Sequence, residues 1–186
     1  MTRELDRAQG ELLLGIARNA IAARLELPHE SMEPPDEAWL EAPAATFVTI
    51  RIGGRLHGCV GNVEPIRGLR ESVAHNAILA AFDDPRSRPL REDELGRANL
   101  EVSVLDEPRP VPGATEQEVL ANLRPGVDGV IISRDRRRGV FLPQVWESLP
   151  DPVEFFDALK EKAGLPRRGP LPHVERFSVQ KFAEAD

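Results

Sequence analysis

Apolar residues recur at steps of three and four near the N-terminus, a pattern typical of an amphipathic helix. We predict a helix over residues 4–26 that packs on a sheet through the stripe Leu5, Ala8, Leu12, Ile16, Ala20 and Ala23. The same spacing predicts a helix over residues 67–82 with the stripe Leu69, Val73, Ala77, Ala80 and Ala81. DDPRSRPL ends this second helix because its prolines cannot continue the hydrogen-bond ladder.

Alternating apolar and polar residues predict strands elsewhere in the chain. TFVTIRI and RLHGCV flank Gly53 and Gly54, which predicts a hairpin because glycine accepts the positive φ angles of tight turns. LEVSVL, residues 100–105, predicts a strand. RPGVDGVIIS and RRGVFL predict two strands joined by the tip RDRRR, and HVERFSV predicts a closing strand.

Capping signals complete the predicted elements. Thr115 has capping-box spacing ahead of a short helix, and Asp151 with Pro152 opens a last helix that Gly164 caps. The acidic, proline-rich segment before the hairpin predicts a loop anchored by Trp39 and Leu40. Hairpins mixed with non-alternating helices favour an α+β fold over a parallel βαβ array, and 186 residues suggest one domain with a small lobe.

Composition limits the function classes. A net charge of -7 and a pI near 5.2 argue against bulk electrostatic binding of nucleic acid or of a membrane surface. Small molecules or proteins are therefore the expected partners. One cysteine forms no internal disulfide, and the N-terminal segment lacks an apolar run long enough for a signal peptide or a membrane span, so we expect a soluble cytoplasmic protein.

The stretch LHGCVGN carries the candidate chemistry. If pairing holds through residue 59, the strand period places His57 and Cys59 on one face, where a histidine favours a thiolate or accepts the thiol proton. Gly58 and Gly61 would leave room for a ligand to approach the backbone, and Asn62 could donate a hydrogen bond. Alternatively, Cys59 is a small buried hydrophobe and the glycines serve a bulge or turn, an interpretation that the residues alone favour.

A set of ordered motifs resembles a known family. LHGCVGN, NAILAAFDDPRSRPL, EVSVL, GVDGVII and GVFLPQVWESLPDPVEFFDALKEKAGL follow one another as in the AMMECR family, the A component of the AmmeMemoRadiSam system. The resemblance covers residues 5–182 and implies one domain of two lobes. The larger lobe has an antiparallel sheet flanked by helices, and the suspected site is a cleft near LHGCVGN. The implied companions are a Memo-like protein and a radical S-adenosylmethionine protein.

Two departures from the family pattern bear on charge. The family usually has arginine where this chain has His57, and histidine near neutral pH is only partly protonated. A motif that binds an anion would therefore bind it less well at high pH. In DPRSRPL, Ser87 and Arg88 replace phenylalanine and proline, whereas Arg86 keeps its place. Arg88 could supply the missing charge if it faces the cleft.

Further residues follow from the resemblance. Asn76 matches the family pattern and could bond to the motif loop, or act only as a structural tie. Gln144 in LPQVW could line the cleft, while Pro143 and Trp146 shape the turn and pack the core. The RDRRR tip could bind phosphate or simply be solvated. His57 and Cys59 supply only two metal ligands, so we assign no metal site, and we see no cofactor fingerprint.

Two functions remain open at this stage. The first is an enzyme in which Cys59 is the nucleophile or the acid and base, and His57 tunes it. The residues expected to bind its small or modified substrate are Gly58, Gly61, Asn62, Asn76, Arg86, Arg88 and Gln144. The second is a non-catalytic module that binds a small molecule or peptide and presents it to the two companion proteins.

Overall fold

The computed structural model describes residues 4–29 and 37–184. Residues 30–36 of the predicted N-terminal loop lie outside the described part. The chain forms two compact units. The first unit comprises the described residues up to Leu105 together with residues 180–184, and the second comprises Asp106–Val179.

The helices and strands of the described residues give an α+β fold, as predicted. The α-helices are α1 (Arg7–Arg24), α2 (Ala38–Glu41), α3 (Leu69–Phe82), α4 (Glu92–Leu95), α5 (Glu116–Ala121) and α6 (Pro152–Lys162). The strands are β1 (Ala45–Ile52), β2 (Arg55–Gly61), β3 (Ala98–Leu105), β4 (Arg109–Pro110), β5 (Gly129–Arg134), β6 (Arg137–Phe141), β7 (His173–Phe177) and β8 (Val179–Ala183). A 3₁₀ helix spans Pro143–Glu147.

Helix α1 begins at Asp6, which forms a capping box with Gln9. The predicted stripe of this helix is correct at Ile16 and in part at Leu5 and Leu12, which pack on the core while partly buried. It is wrong at Ala8 and Ala23, which are exposed, because α1 buries a neighbouring face against α3 and β3. That face consists of Gly10, Leu13, Leu14, Ile16, Ala17, Ile21 and Ala22. Alanines fit the helical period as well as leucines do, but they contribute less apolar area, so the larger side chains decide which face is buried.

The first sheet has the strand order β2-β1-β3-β8, which leaves β2 at one edge. The predicted hairpin between β1 and β2 is confirmed, and Gly53 and Gly54 both adopt positive φ angles, of 56° and 76°. The pairing shifts by one residue inside this hairpin, because Ile50 pairs with Gly58 whereas Arg51 pairs with Leu56. His57 is therefore the extra residue of a β-bulge.

Helix α3 packs on β1 and β2 through its predicted stripe, and all five residues of the stripe are buried. On β3, the alternate residues Leu100, Val102 and Val104 are buried as predicted. Trp39 and Leu40 of α2 are also buried in the core of this unit, which confirms them as anchors.

The second sheet has the strand order β4-β7-β5-β6. The β5–β6 hairpin is antiparallel and turns at the predicted arginine-rich tip. Helix α6 begins at the Asp151 cap and buries Phe155, Phe156 and Leu159 completely. Gly164, with φ of 69°, follows its end as predicted.

The prediction of one closing strand over HVERFSV is wrong. The chain divides at Ser178, so that β7 joins the second sheet and β8 joins the first. The two-residue strand β4 pairs with β7 and was missed within a proline-rich link. Both errors have one physical cause, since short extended segments carry little pattern and their partners lie far along the chain.

Candidate functional site around Cys59

Cys59 lies on edge strand β2, directly opposite Thr49 of β1. The neighbours of Thr49 on β1, Val48 and Ile50, point into the core with no exposed surface. Because side chains alternate along a strand, Thr49 and Cys59 occupy the other face of the sheet. The Thr49 hydroxyl donates to the Cys59 Sγ at 3.3 Å. The thiol is partly buried and has a hydrogen-bond donor beside it.

The bulge at His57 decides the direction of the cysteine. A two-residue turn without a bulge would continue the pairing of Ile52 with Arg55 and place Cys59 opposite Val48, on the core face. The one-residue shift places it opposite Thr49 instead. The bulge therefore presents Cys59 on the face that points away from the core of its unit.

The Asp84 carboxylate holds the outer edge of the motif. It accepts the Cys59 backbone N–H at 2.9 Å and the Arg86 backbone N–H at 3.0 Å. It also accepts from Nε and Nη2 of Arg86, at 2.9 and 2.7 Å. Arg86 Nη2 in turn donates to the Cys59 carbonyl at 2.8 Å. We call this arrangement the Asp84–Arg86 clamp; it occupies both outward backbone groups of Cys59.

The two charged residues of the clamp differ sharply in exposure to solvent. Asp84 has a side chain only 1% exposed, whereas that of Arg86 is 62% exposed. Hydrogen bonds from Arg86, together with the Cys59 N–H, hold the pKa of Asp84 well below its usual range, although burial opposes this shift. The pKa of Arg86 is raised, chiefly by Asp84 and to a smaller extent by interaction with the Cys59 side chain. A permanent cation is therefore held against the backbone of Cys59.

His57 has different neighbours from those expected. Its carbonyl accepts a hydrogen bond from the Ser87 hydroxyl. Its Nε2 is buried and has no hydrogen-bond partner among the residues that the structure describes. In the described part of the chain, the hydrogen-bond partners of Cys59 are Thr49, Asp84 and Arg86, and His57 is not among them. The structure thus corrects the expected pairing: the cation beside Cys59 is Arg86.

Arg88 is engaged by Glu94. Its Nη1 donates to Glu94 Oε2 at 2.8 Å, and its Nη2 donates to the other carboxylate oxygen. Hydrogen bonds from Arg88, then from the Arg91 N–H, lower the pKa of Glu94 to about 2, and the nearby His57 acts in the same direction. The charge of Arg88 is therefore balanced within the protein, so the expectation that it supplies a free charge is not met.

The two motif glycines pack against protein atoms. A Cβ on Gly58 would lie 2.0 Å from the carbonyl oxygen of Ala80 in α3. A Cβ on Gly61 would lie 2.3 Å from the carbonyl oxygen of Thr46 in β1. The expectation that these glycines leave room for a ligand is wrong at this side of the backbone, because close approach of α3 and β1 fills the space.

A buried amide network fixes the end of the motif. Asn76 of α3 donates from Nδ2 to the Thr46 carbonyl at 3.1 Å and to Asn62 Oδ1 at 2.9 Å. The Asn62 amide donates to the Glu64 carbonyl. Ser72 bonds to Thr46 and Asn62 within the same network. The predicted bond from Asn76 to the motif loop is confirmed, and the network explains both asparagines structurally.

Gln144 belongs to the second unit, where it is exposed on the 3₁₀ helix. Pro143 and Trp146 of the same helix are buried, as predicted. Trp146 stacks on Phe155 at 3.6 Å between ring centroids and donates its indole N–H to the Asp128 carbonyl. A role for Gln144 in a cleft beside the motif stays a prediction.

Sequence reasoning missed Asp84, Thr49 and Ser87. Asp84 had a usable signal, since an acid two residues before an arginine at a helix end is well placed to pair with it. No sequence signal indicated Thr49, because the bulge that brings it opposite Cys59 does not change the pattern of hydrophobic residues.

Two searches over the described ranges complete the picture. Within residues 4–29 and 37–184, histidine, cysteine, aspartate and glutamate form no group of three or more with the geometry to hold a metal ion. In the same ranges, no helix has the length and apolar character needed to cross a membrane.

Comparison with known proteins identifies the family. The AMMECR1 family model matches residues 14–182. A protein of Methanothermobacter thermautotrophicus is 36% identical over 190 residues, which cover 97% of this chain and 96% of that protein. Protein MK0488 of Methanopyrus kandleri is 36% identical, with 100% of this chain and 93% of that protein covered. The chain belongs to the AMMECR1 family.

The fold agrees with a solved relative. The crystal structure of the uncharacterized protein PH0010 from Pyrococcus horikoshii superimposes with a TM-score of 0.83 at 32% sequence identity. The match covers 97% of this chain and 93% of that chain. The α+β architecture is therefore that of the relative as well.

Proposed function

We propose that this protein is a cysteine-dependent enzyme that acts on a small or modified substrate bearing an anionic group. One observation carries the proposal: the partly buried Cys59 has the Thr49 hydroxyl 3.3 Å from its sulfur and the Arg86 guanidinium 2.8 Å from its carbonyl oxygen. A hydroxyl donor at the sulfur and a cation held on the same residue would stabilise the thiolate, the nucleophilic form of a cysteine, as it forms in the reaction.

The neighbouring residues fit defined roles in this proposal. Cys59 is the nucleophile, and the clamp fixes its backbone so that the sulfur has little freedom to turn away. Arg86 would bind the anionic group of the substrate with the exposed part of its guanidinium, since Asp84 and the Cys59 carbonyl accept from its Nε and Nη2. The Nε2 of His57 is buried and out of reach of a substrate, so His57 would support the site through its position in the bulge and its carbonyl, which accepts from Ser87.

The proposal includes the companions that family resemblance implies. The enzyme would act in concert with a Memo-like protein and a radical S-adenosylmethionine protein.

A second candidate is a non-catalytic module that presents a ligand to these companions. The observation in its favour is that polar and charged groups of the motif already have partners within the protein. Asp84 balances the charge of Arg86, and the motif asparagines bond within the buried network. A rigid, internally satisfied surface is well suited to docking.

The Cys59→Ser variant tests the proposal against this alternative. In a mixture with both companion proteins, the enzyme proposal expects product formation to be lost while the affinity for the Memo-like protein stays within about twofold of wild type. A thermal melt of the variant controls for folding. Product formation at the wild-type rate would refute the enzyme and leave the binding module.

A further inference from the structure

Two arginine-rich segments of the second unit meet in the structure. The first is the β5–β6 tip, residues 134–138, and the second is the loop after α6, residues 164–170. Arg134 Nη1 donates to the Pro170 carbonyl at 3.1 Å, and Arg137 Nη1 donates to the Gly164 carbonyl at 2.7 Å. We call the surface of these two segments the basic patch; its arginines are Arg134, Arg136, Arg137, Arg138, Arg167 and Arg168.

The basic patch concentrates charge of one sign. Its two segments hold six arginines against one aspartate, a net charge of +5 in a chain whose net charge is -7. Arg134 and Arg137 lie directly opposite each other across the hairpin, where like charges destabilise the pairing. Both donate to backbone carbonyls, which offset the loss of water but do not neutralise charge.

The ion pair at Arg167 compensates little of this charge. Arg167 pairs with Glu161 at 3.3 Å, but both side chains are more than half exposed, so the attraction is weak. Among the residues that the structure describes, Arg136 and Arg168 take part in no ion pair, and both are exposed. The patch therefore has an unbalanced positive field that an anionic partner would neutralise.

We propose that the basic patch binds an acidic segment of a partner protein. Guanidinium groups form forked hydrogen bonds with carboxylates, and six arginines spread over two segments match a run of several acidic side chains. The inference rests on residues of the second unit and is independent of any chemistry at Cys59.

Two other anionic partners fit the patch less well. A long nucleic acid would extend beyond the patch over the rest of this acidic chain, whereas a short acidic segment would contact the patch alone. Neither segment contains an aromatic side chain for stacking on bases. A membrane surface would need apolar anchors, but the exposed large hydrophobic residues of the described chain, Leu56, Ile66, Val127 and Val153, lie outside both segments.

The test measures binding of a fluorescent peptide of alternating aspartate and glutamate to the full chain. The variant Arg136→Ala/Arg168→Ala removes two arginines that make no ion pair. Its affinity should fall by roughly three- to tenfold, because exposed charge contacts are individually weak. The matched control is Arg51→Ala/Arg55→Ala, which removes the same charge from exposed positions of the β1–β2 hairpin and should leave the affinity unchanged within about twofold.

Each result decides the proposal. Loss of affinity in the patch variant alone, and weaker binding at higher salt, support it. It is overturned if the peptide does not bind, if both double variants weaken binding equally, or if a thymidine oligonucleotide of the same charge binds more tightly than the peptide.

Discussion

Asp84 organises the surroundings of Cys59 more than any residue of the motif itself. One buried carboxylate accepts hydrogen bonds from the backbone of Cys59 and from the backbone and side chain of Arg86. A carboxylate with this many donors is stabilised in its charged form, which explains the depressed pKa of Asp84. The position of Cys59 therefore depends on a residue 25 positions away in the chain.

Replacing Asp84 tests this dependence. We expect Asp84→Asn to lower the free energy of unfolding by about 2–3 kcal/mol. The amide N–H groups would face the N–H groups of Cys59 and Arg86, and the charge of Arg86 would lose its partner. Urea denaturation measures the effect. The control Asp93→Asn removes one partner of an exposed pair with Arg97 and should cost less than about 0.5 kcal/mol. Equal losses in the two variants would show that the clamp contributes no special stability.

The lowered pKa of Glu94 predicts that the protein loses stability at acid pH. Its pKa is lowered from 4.5 to about 2 in the folded protein, so the stability it contributes is present above pH 4.5 and is lost as the pH falls towards 2. We expect Glu94→Gln to flatten this part of the curve of unfolding free energy against pH. Glu71→Gln, at an exposed pair with Arg67, should leave the curve unchanged. An identical curve for wild type and Glu94→Gln would contradict the assignment.

At the scale of elements, the β1–β2 hairpin and its bulge determine which face Cys59 occupies. The hairpin was predictable, because Gly53 and Gly54 sit between two alternating runs and supply the positive φ angles of the turn. The bulge was not, since a one-residue shift depends on how β2 packs against α3 and on what holds its outer edge. Local pattern thus predicted the strand, whereas tertiary packing set the direction of the cysteine.

The same contrast applies to the helices. The stripe of α3 was predictable in full, because its apolar residues recur at helical spacing and all five are buried in the core of the unit. The stripe of α1 was not, because apolar residues nearly surround that helix and its contacts with α3 and β3 select among several faces. The pairing of Asp84 with Cys59 was likewise beyond a pattern based on local spacing.

Gly58 tests the packing of β2 on α3. We expect Gly58→Ala to lower the free energy of unfolding by about 2–3 kcal/mol, because a Cβ 2.0 Å from the Ala80 carbonyl oxygen must push the strand and helix apart. Gly96→Ala is the control, since nothing lies within 4 Å of its Cβ position and its φ of -65° suits alanine. It should be neutral or stabilising by up to about 1 kcal/mol. Similar melting temperatures for the two variants would contradict the close packing.

At the scale of the whole molecule, charge is distributed unevenly over an acidic chain. The unit that holds Cys59 places the exposed Arg86 against the backbone of that residue, and the other unit carries the basic patch. Family membership accounts for the fold, which the relative from Pyrococcus horikoshii shares. The function depends on whether Cys59 is chemically reactive in this setting.

The alkylation rate of Cys59 by iodoacetamide at neutral pH tests this claim most directly. We predict that the folded wild type reacts faster than the same chain unfolded in urea, and that Arg86→Gln slows the folded protein by about tenfold. Arg88→Gln removes the same charge two residues away, where Glu94 engages it, and should change the rate by less than about twofold. A folded thiol that is inert, or a rate that does not respond to Arg86, would contradict the proposal of a cysteine enzyme.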